Sequence, residues 1–342
     1  MRDMGRYNQP MNDALKPAPE PTLSDVAALA GVSRAIASRA LSAQPRPVSA
    51  DKRERVLRAA EALGFRPNSL ARGLANKTVN LVAILVNHIH DLSDLDLFDL
   101  LLAEIQAIGK QVIFVRVGAG EHAETFLRDG VAYHVDAALV FSDFADAATV
   151  RRMFRNNAVL MLNGHHDPGA TSVTMDEDHG IREAVADAAA KDVRTALLLT
   201  GRTMSLVEQA RIASYRAALA RHGIKLLGEL AGDYSYASGR ALAQQIDVDA
   251  TDAVFCTSDA MAMGVLDAHR QHFPQHRPER FRLYGFDNIS LTQFDAYPIS
   301  SIGADKREYV RQIVRILNQP AHLSQNSEHV LVATRFVPRL TG

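Results

Sequence analysis

Seven short apolar runs, each followed by a stretch of helical character, constrain this 342-residue chain more than any other feature. LVAILV begins at Leu81, VIFVRV at Val112, DAALVFS at Asp136 and AVLMLN at Ala158. TALLLTG follows at Thr195, AVFCTS at Ala253 and FRLYGFD at Phe281, with a weaker run, GELAGD, at Gly228. LVAILV is apolar at every position, as a parallel strand buried on both faces requires. Helices are predicted from about Leu95 to Ile108, from near Asp178 to Ala190, from Leu206 to His222, through Ile246, and from Ala260 to Gln271. One series of alternating β and α starts at Leu81 and a second near Asp178, which predicts two doubly wound α/β lobes. Ligands of such sheets bind at the carboxyl ends of the strands, so two lobes facing each other make a cleft.

The first 78 residues have a different texture. Thr22 to Leu41, TLSDVAALAGVSRAIASRAL, reads as two short helices around a sharp turn. Thr22 can cap the first helix, with Asp25 answering from its first turn. Val26, Leu29 and Ala30 share one face. Gly31 suits the break between helices because it adopts positive φ cheaply. Val32 can plug the angle, and Ser33 can cap the second helix, which exposes Arg34, Ser38 and Arg39. A helix-turn-helix offers such a face to the DNA major groove, where arginine bridges the O6 and N7 of guanine. An ordinary αα-hairpin with solvated arginines is the competing reading. A third helix follows from Ser49, with Val56, Leu57, Ala60 and Leu63 on one face and Gly64 at its end. The segment Arg66 to Thr78 reads as a linker whose short helix, weakened by Gly73, forms only when something holds it.

Charge separates these regions. Thr22 to Thr78 carries ten Lys and Arg against four acids, while the whole chain has a net charge of −1. A basic head on an acidic body suits a phosphate-binding module joined to a part that does not touch nucleic acid. The one cysteine, Cys256, excludes an internal disulfide. No apolar run is long enough to span a membrane. Residues 1–21 are proline-bearing, lack the apolar core of a signal peptide, and read as a disordered tail. The expected location is therefore the cytoplasm, with the nucleoid.

DVAALAGVS, SRAL, VSADKRERVLRAAEALGFRPN and LARGLA, in this order and spacing, resemble the head and hinge of the lac repressor (LacI/GalR) family of transcription regulators. The resemblance is close from Thr22 to Lys77 and looser to about residue 340. It implies an N-terminal all-α helix-turn-helix head (22–66), a hinge (67–78) and a two-lobed α/β body of periplasmic-binding-protein type (79–342). It also implies that the chain crosses between lobes three times, returning to the first lobe after about Ser300. The implied partners are double-stranded operator DNA with a pseudo-palindromic sequence, a small-molecule effector such as a sugar, and a second copy of the chain. No cofactor or metal is expected.

Residue by residue, the resemblance places Arg34, Ala35 and Arg39 toward base edges and Thr22 and Ser33 toward phosphates, with Ser38 on the same DNA-binding face. The family usually has Thr-Val where this chain has Ile36-Ala37. In the hinge, Asn68, Ser69 and Ala71 match minor-groove positions, and Leu74 matches the leucine that wedges between base pairs. In the cleft, the family's ligand arginine falls on Arg211 and its hydroxyl-gripping acid on Asp287. Ser258 stands where asparagine is usual, and Asn163 where aspartate is usual. A surface salt bridge is the competing reading of Arg211.

The largest departure is NHIHDLSDLDLFDLL, Asn87 to Leu101, where relatives have a serine-asparagine-proline-phenylalanine turn. His88, His90, Asp91 and Asp94 can be read as a metal- or amine-binding set. They can also be read as an acidic helix entrance, with His88 on the effector cleft and Leu95, Phe98 and Leu102 packing inward. His165 and His166 read as rim residues of the same cleft. Gly118 to Ala123 resembles a dinucleotide fingerprint but follows the wrong strand, and reads as a tight turn. The expected function is an effector-controlled DNA-binding regulator, a repressor. A soluble sugar-binding protein is the alternative, disfavoured by the basic head. An enzyme is disfavoured because no nucleophile elbow, Walker-type loop or HExxH is present.

Overall fold

The computed structural model describes residues 21–42, 47–66, 79–87, 89, 91–117, 135–142, 146–162, 164, 167, 169–272, 281–319, 323 and 327–342. Two compact units divide the chain, Met1–Lys77 and Thr78–Gly342.

The smaller unit holds α1 (Leu23–Ala30), α2 (Arg34–Ala40) and α3 (Ala50–Leu63). Thr22 and Asp25 form the expected capping box on α1, and Gly31 takes φ 63° where the helix stops. The Ser33 hydroxyl accepts the Ile36 N–H and starts α2. The core is built largely from small side chains: Ala27, Ala30, Ala37, Ala40, Ala59 and Ala60 surround Val26 and Val56. This corrects two expectations. Leu29 and Leu57 are exposed, at 58% and 50%, because the alanine faces let the helices approach too closely to admit them. Leu63 and Val32 pack at the edge of the cluster.

In the larger unit, eleven described strands form a sheet in the order β2-β1-β3-β4-β5-β11-β10-β9-β8-β6-β7. The first lobe contains β1 (Leu81–Val86), α4 (Leu92–Ala107), β2 (Gln111–Arg116), β3 (Ala137–Val140), α5 (Ala147–Phe154), β4 (Val159–Met161) and β5 (Thr171–Asp176). The second contains α6 (Glu177–Ala190), β6 (Thr195–Thr200), α7 (Leu206–Arg221), β7 (Lys225–Ala231), α8 (Tyr236–Leu242), β8 (Ala253–Cys256), α9 (Asp259–His272), β9 (Arg282–Phe286) and β10 (Ser300–Ala304). Then α10 (Lys306–Leu317) and β11 (His329–Val337) end the chain. From each free edge inward to β11, both lobes repeat one order, 2-1-3-4-5 and 7-6-8-9-10, so each has a switch point beside its first strand.

The strand period of two sorts the core. Val82, Ile84 and Val86 face Phe98, Leu101 and Ile105 of α4 and Ile313 of α10. Ala83 and Leu85 face Val150 and Met153 of α5. In the second lobe, Ala196 and Leu198 meet α6 and α7, while Leu197 and Leu199 meet Met261 and Val265 of α9. Helix α4 begins at Leu92 rather than near Leu95, which shifts its buried stripe. Phe98 is buried as expected, but Leu95 is exposed and Leu101 takes the inward place given to Leu102.

The chain does return to the first lobe after Ser300: α10 packs Tyr309, Val310 and Ile313 into that lobe's core. Strand β11 then runs parallel to β5 from His329 to Ala333 and antiparallel to β10 from Thr334 to Val337. It therefore belongs to both sheets. The crossings fall at Asp176–Glu177, at Ala304–Lys306 and at Ala333–Thr334. No described helix is long and apolar enough to cross a membrane.

Candidate DNA-reading face and interlobe cavity

On the head, Thr22, Ser33, Arg34, Ala35, Ser38 and Arg39 are all exposed, and Ala37 and Ala40 turn inward. Buried alanines on one side of α2 thus fix which side chains its outer face presents. The Thr22 hydroxyl is engaged with Asp25 Oδ2 at 2.7 Å, so capping and any phosphate contact compete for it. Ile36 is half-buried, and its side chain has no donor for a phosphate. Asn68, Ser69, Ala71 and Leu74 of the hinge lie outside the described residues, as do residues 1–20 of the tail.

In the body, a cavity of about 140 Å³ opens between the two lobes. Asp91, Leu92 and Ser93, at the start of α4, line it from the first lobe. Arg211, Tyr234, Ser258 and Asp287 line it from the second, with Val207, Ala260 and Ile289 as its apolar floor. Three of the five cleft residues expected from the sequence are thereby brought together: Arg211, Ser258 and Asp287. His88 and Asn163, with His90, His165, His166 and the turn at 118–123, lie outside the described residues. No group of three or more metal-ligating side chains occurs among the described residues.

Arg211 is buried, not on the surface. Its Nε and Nη2 donate to both oxygens of Glu177, at 2.9 and 2.6 Å, and Nη1 donates to the Thr257 carbonyl at 2.7 Å. Glu208, one turn earlier on α7 and fully buried, approaches Nη1 at 3.5 Å. The guanidinium also lies over the Phe286 ring, 3.8 Å from its centroid. Burial alone would lower the Arg211 pKa, but Glu177 and Glu208 outweigh it and raise it well above its usual value. Glu208 is itself saturated. Its Oε1 accepts the Gly201 N–H at 2.6 Å and the Thr257 hydroxyl at 2.7 Å, and its Oε2 accepts the Tyr234 hydroxyl at 3.0 Å.

Asp287 differs. It follows β9 with φ 99°, and Asn288 follows with φ 44°, so the backbone is held in an unfavourable region where the carboxylate meets the cavity. No hydrogen bond reaches that carboxylate among the described residues. Burial pushes its pKa well above the ordinary range, against the pull of Arg211 and with a further push from Asp259. Asp259 is fully buried behind it, accepting the Ser301 hydroxyl at 2.6 Å and the Ile289 N–H at 2.9 Å. Burial raises the Asp259 pKa to about 7 despite those bonds. Ser258 caps α9, accepting the Met261 N–H at 3.2 Å while donating to the Tyr234 carbonyl at 2.9 Å. One acceptor position remains for a ligand.

The lobes also touch around the cavity. Asp91 pairs with Arg202 at 3.3 Å. Asp96 accepts the Ser290 N–H at 2.7 Å and the Lys306 ammonium at 3.0 Å. Burial alone would raise the Asp96 carboxyl, but these donors hold it below its ordinary value. Leu92 inserts against the apolar face of the second lobe. Gly164 lies so near α7 that a Cβ there would meet Val207 Cγ2 at 2.8 Å. Asp91 and Asp94 thus sit at an acidic helix entrance, with Asp91 additionally paired across the cleft.

Comparison with known proteins follows the same division. Residues 22–68 match the bacterial regulatory proteins of the lacI family, and residues 185–341 match the periplasmic binding protein-like domain. The chain belongs to the lacI family. It is a DNA-binding transcriptional regulator. It is 27% identical to the HTH-type transcriptional regulator AscG of Escherichia coli K12 over 86% of this chain and 90% of that protein. It is 28% identical to the transcriptional repressor CytR of the same organism, over 86% and 88%. Catabolite control protein A of Priestia megaterium is 26% identical, over 82% and 86%. In fold it is similar to the lac repressor dimer bound to operator and the anti-inducer ONPF, with a TM-score of 0.81 at 24% identity over 94% of this chain and 98% of that one. A complex of the regulator CelR with cellobiose is similar at a TM-score of 0.66, at 24% identity over 94% and 100%.

Sequence reasoning missed Glu177, Glu208, Arg202, Tyr234 and Asp96. Glu208 had a local signal, three residues before Arg211 on one helix. Glu177, 34 residues away, had none.

Proposed function

We propose that this lacI-family regulator is a repressor that binds a pseudo-palindromic operator as a homodimer, and that a small hydroxylated molecule in the interlobe cavity sets its affinity for DNA. Cytoplasm and nucleoid are its place of work. The observation that carries the effector reading is Asp287: an unbonded carboxylate, beside an arginine, facing a cavity at the switch points of two lobes. A ligand that donates to Asp287 from the second lobe and meets Asp91 or Ser93 from the first binds the closed arrangement better than the open one. Such differential binding is what shifts an equilibrium. One head offers few base contacts, so two are needed for useful affinity. CytR is a named repressor and the solved CelR complex holds cellobiose, which supports both the sign and a sugar-like ligand.

The test is fluorescence anisotropy of the full chain on DNA from its own upstream region, with and without a panel of small sugars. Salt-sensitive, sequence-specific binding that changes at least tenfold with one ligand, and loses that response in Asp287→Ala, is expected. Equal affinity for random DNA would sink the operator reading; a response untouched by Asp287→Ala would sink the effector site. On the head, Arg34→Ala should cost about 1–3 kcal/mol at one operator position only. A uniform loss over all operator variants would make Arg34 a backbone contact.

A further inference from the structure

The charge around the cavity bears on what kind of molecule enters it. Arg211 lines the cavity, but its Nε–Nη2 edge is given to Glu177 and one Nη1 hydrogen to the Thr257 carbonyl, so the fork that suits a two-point anion pair is occupied. An incoming carboxylate or phosphate would have to displace Glu177 from a buried two-point pair. Arg202, which does not line the cavity, pairs with the lining residue Asp91 across the cleft. Lys306 is held by Asp96. Among the described residues, the carboxylates Asp91, Glu177, Glu208 and Asp287 share this space with the guanidiniums Arg202 and Arg211, and the Lys306 ammonium acts on Asp287 as well. Asp259 adds a further buried carboxyl behind Asp287.

Asp287 shares the cavity lining with apolar Val207, Ala260 and Ile289, and no hydrogen bond from a described residue reaches its carboxylate. A neutral hydroxyl can give that carboxylate a hydrogen bond but leaves its charge uncompensated away from bulk water. An ammonium gives both, and a charge-assisted bond is the stronger. Resting on the reading of this cavity as the effector site, we infer that it selects a cationic, hydroxylated effector of the amino-sugar or amino-polyol class, whose ammonium pairs with Asp287. Its hydroxyls then meet Asp91, Ser93 and the remaining acceptor position of Ser258. The raised pKa of Asp287 has the same origin: burial penalises its charged form, and a cation beside it offsets that penalty.

Isothermal calorimetry on the full chain tests this with matched triplets that share one stereochemistry: a 2-amino-2-deoxyhexose, the parent hexose and the corresponding uronic acid, over the gluco, galacto and manno series. The expected result is that an amino member binds at least tenfold tighter than its neutral parent, that uronic acids bind worst, and that Asp287→Asn abolishes the preference. A neutral parent that binds as well as or better than its amine, or an acid that binds best, overturns the cationic preference while leaving the effector site standing. An unchanged preference in Asp287→Asn overturns the assignment to that residue. Silence of every triplet with wild-type protein overturns the effector reading and this inference together.

Discussion

The two lobes of the body share a strand order and yet divide the chemistry unequally. At its strand ends the second lobe buries Thr200, Glu208, Arg211, Thr257, Ser258, Asp259, Ser300 and Ser301, nearly all bonded to one another or to the backbone. The first lobe offers the helix entrance Asp91–Ser93 and the carboxylate of Asp96, all half-exposed and reaching outward to the other lobe. One topology has thus been given a rigid half that holds its polar groups in place and a half that clasps it. Buried networks of this kind are costly if any member is left unpaired. Surface pairs are not.

Substitutions can break that contrast, and the largest effect belongs to Arg211. Arg211→Leu leaves the fully buried Glu208 and the partly buried Glu177 without their shared cation, and should destabilise the full chain by about 3–5 kcal/mol in chemical denaturation. A loss below 1 kcal/mol would mean that the second lobe is no more preorganised than the first.

Asp259 gives the next effect. Its folded pKa of about 7 lies above the ordinary carboxylate value, so the protonated form is favoured by folding. Its stabilising contribution is complete below about pH 4 and is lost as pH rises through 7, with a span of up to about 4 kcal/mol. Asp259→Asn should flatten the stability profile across that window; residual slope of the same sign belongs to Asp287. An unchanged profile would place the titration elsewhere.

Gly201→Ala should follow, at about 1–3 kcal/mol, because its Cβ would lie 1.9 Å from the Tyr234 ring and must push it off the cavity wall. Loss of ligand binding should accompany it. Ligand affinity that survives the change would show that Tyr234 does not shape the site.

The smallest effect is on the clasping side. A double-mutant cycle on Asp96 and Lys306 should give a coupling of about 1 kcal/mol or less. A coupling as large as the Arg211 effect would erase the difference between the lobes.

The sequence carried the architecture because each apolar run had room for only one strand and helices recur between most of them. Strands β5 and β10 are absent from the pattern of apolar runs for a physical reason. TSVTMD and SSIGA are polar or small, and become strands through partners distant in sequence. In the head, helical phase placed Leu29 and Leu57 inside, whereas the alanine faces decide the packing. Arg211, Ser258 and Asp287 came from resemblance, and the structure adds what resemblance lacks: which of their polar groups are already spent. Glu177 reaches Arg211 only because the chain crosses between lobes at Asp176, and no local spacing encodes that.

Strand β11 has a mechanical corollary. Hydrogen-bonded to β5 along one half and to β10 along the other, it prevents the lobes from sliding past each other without rupturing a ladder. With the other two crossings beside it, and Thr334 Oγ1 pinned between the Asp176 carbonyl and the Gly180 N–H, the junction behaves as a door on a three-pin hinge. Such a door has one arc of travel. A molecule that bridges the two lobes acts along that arc, so a ligand the size of the proposed effector is placed to bias the setting of a whole lobe.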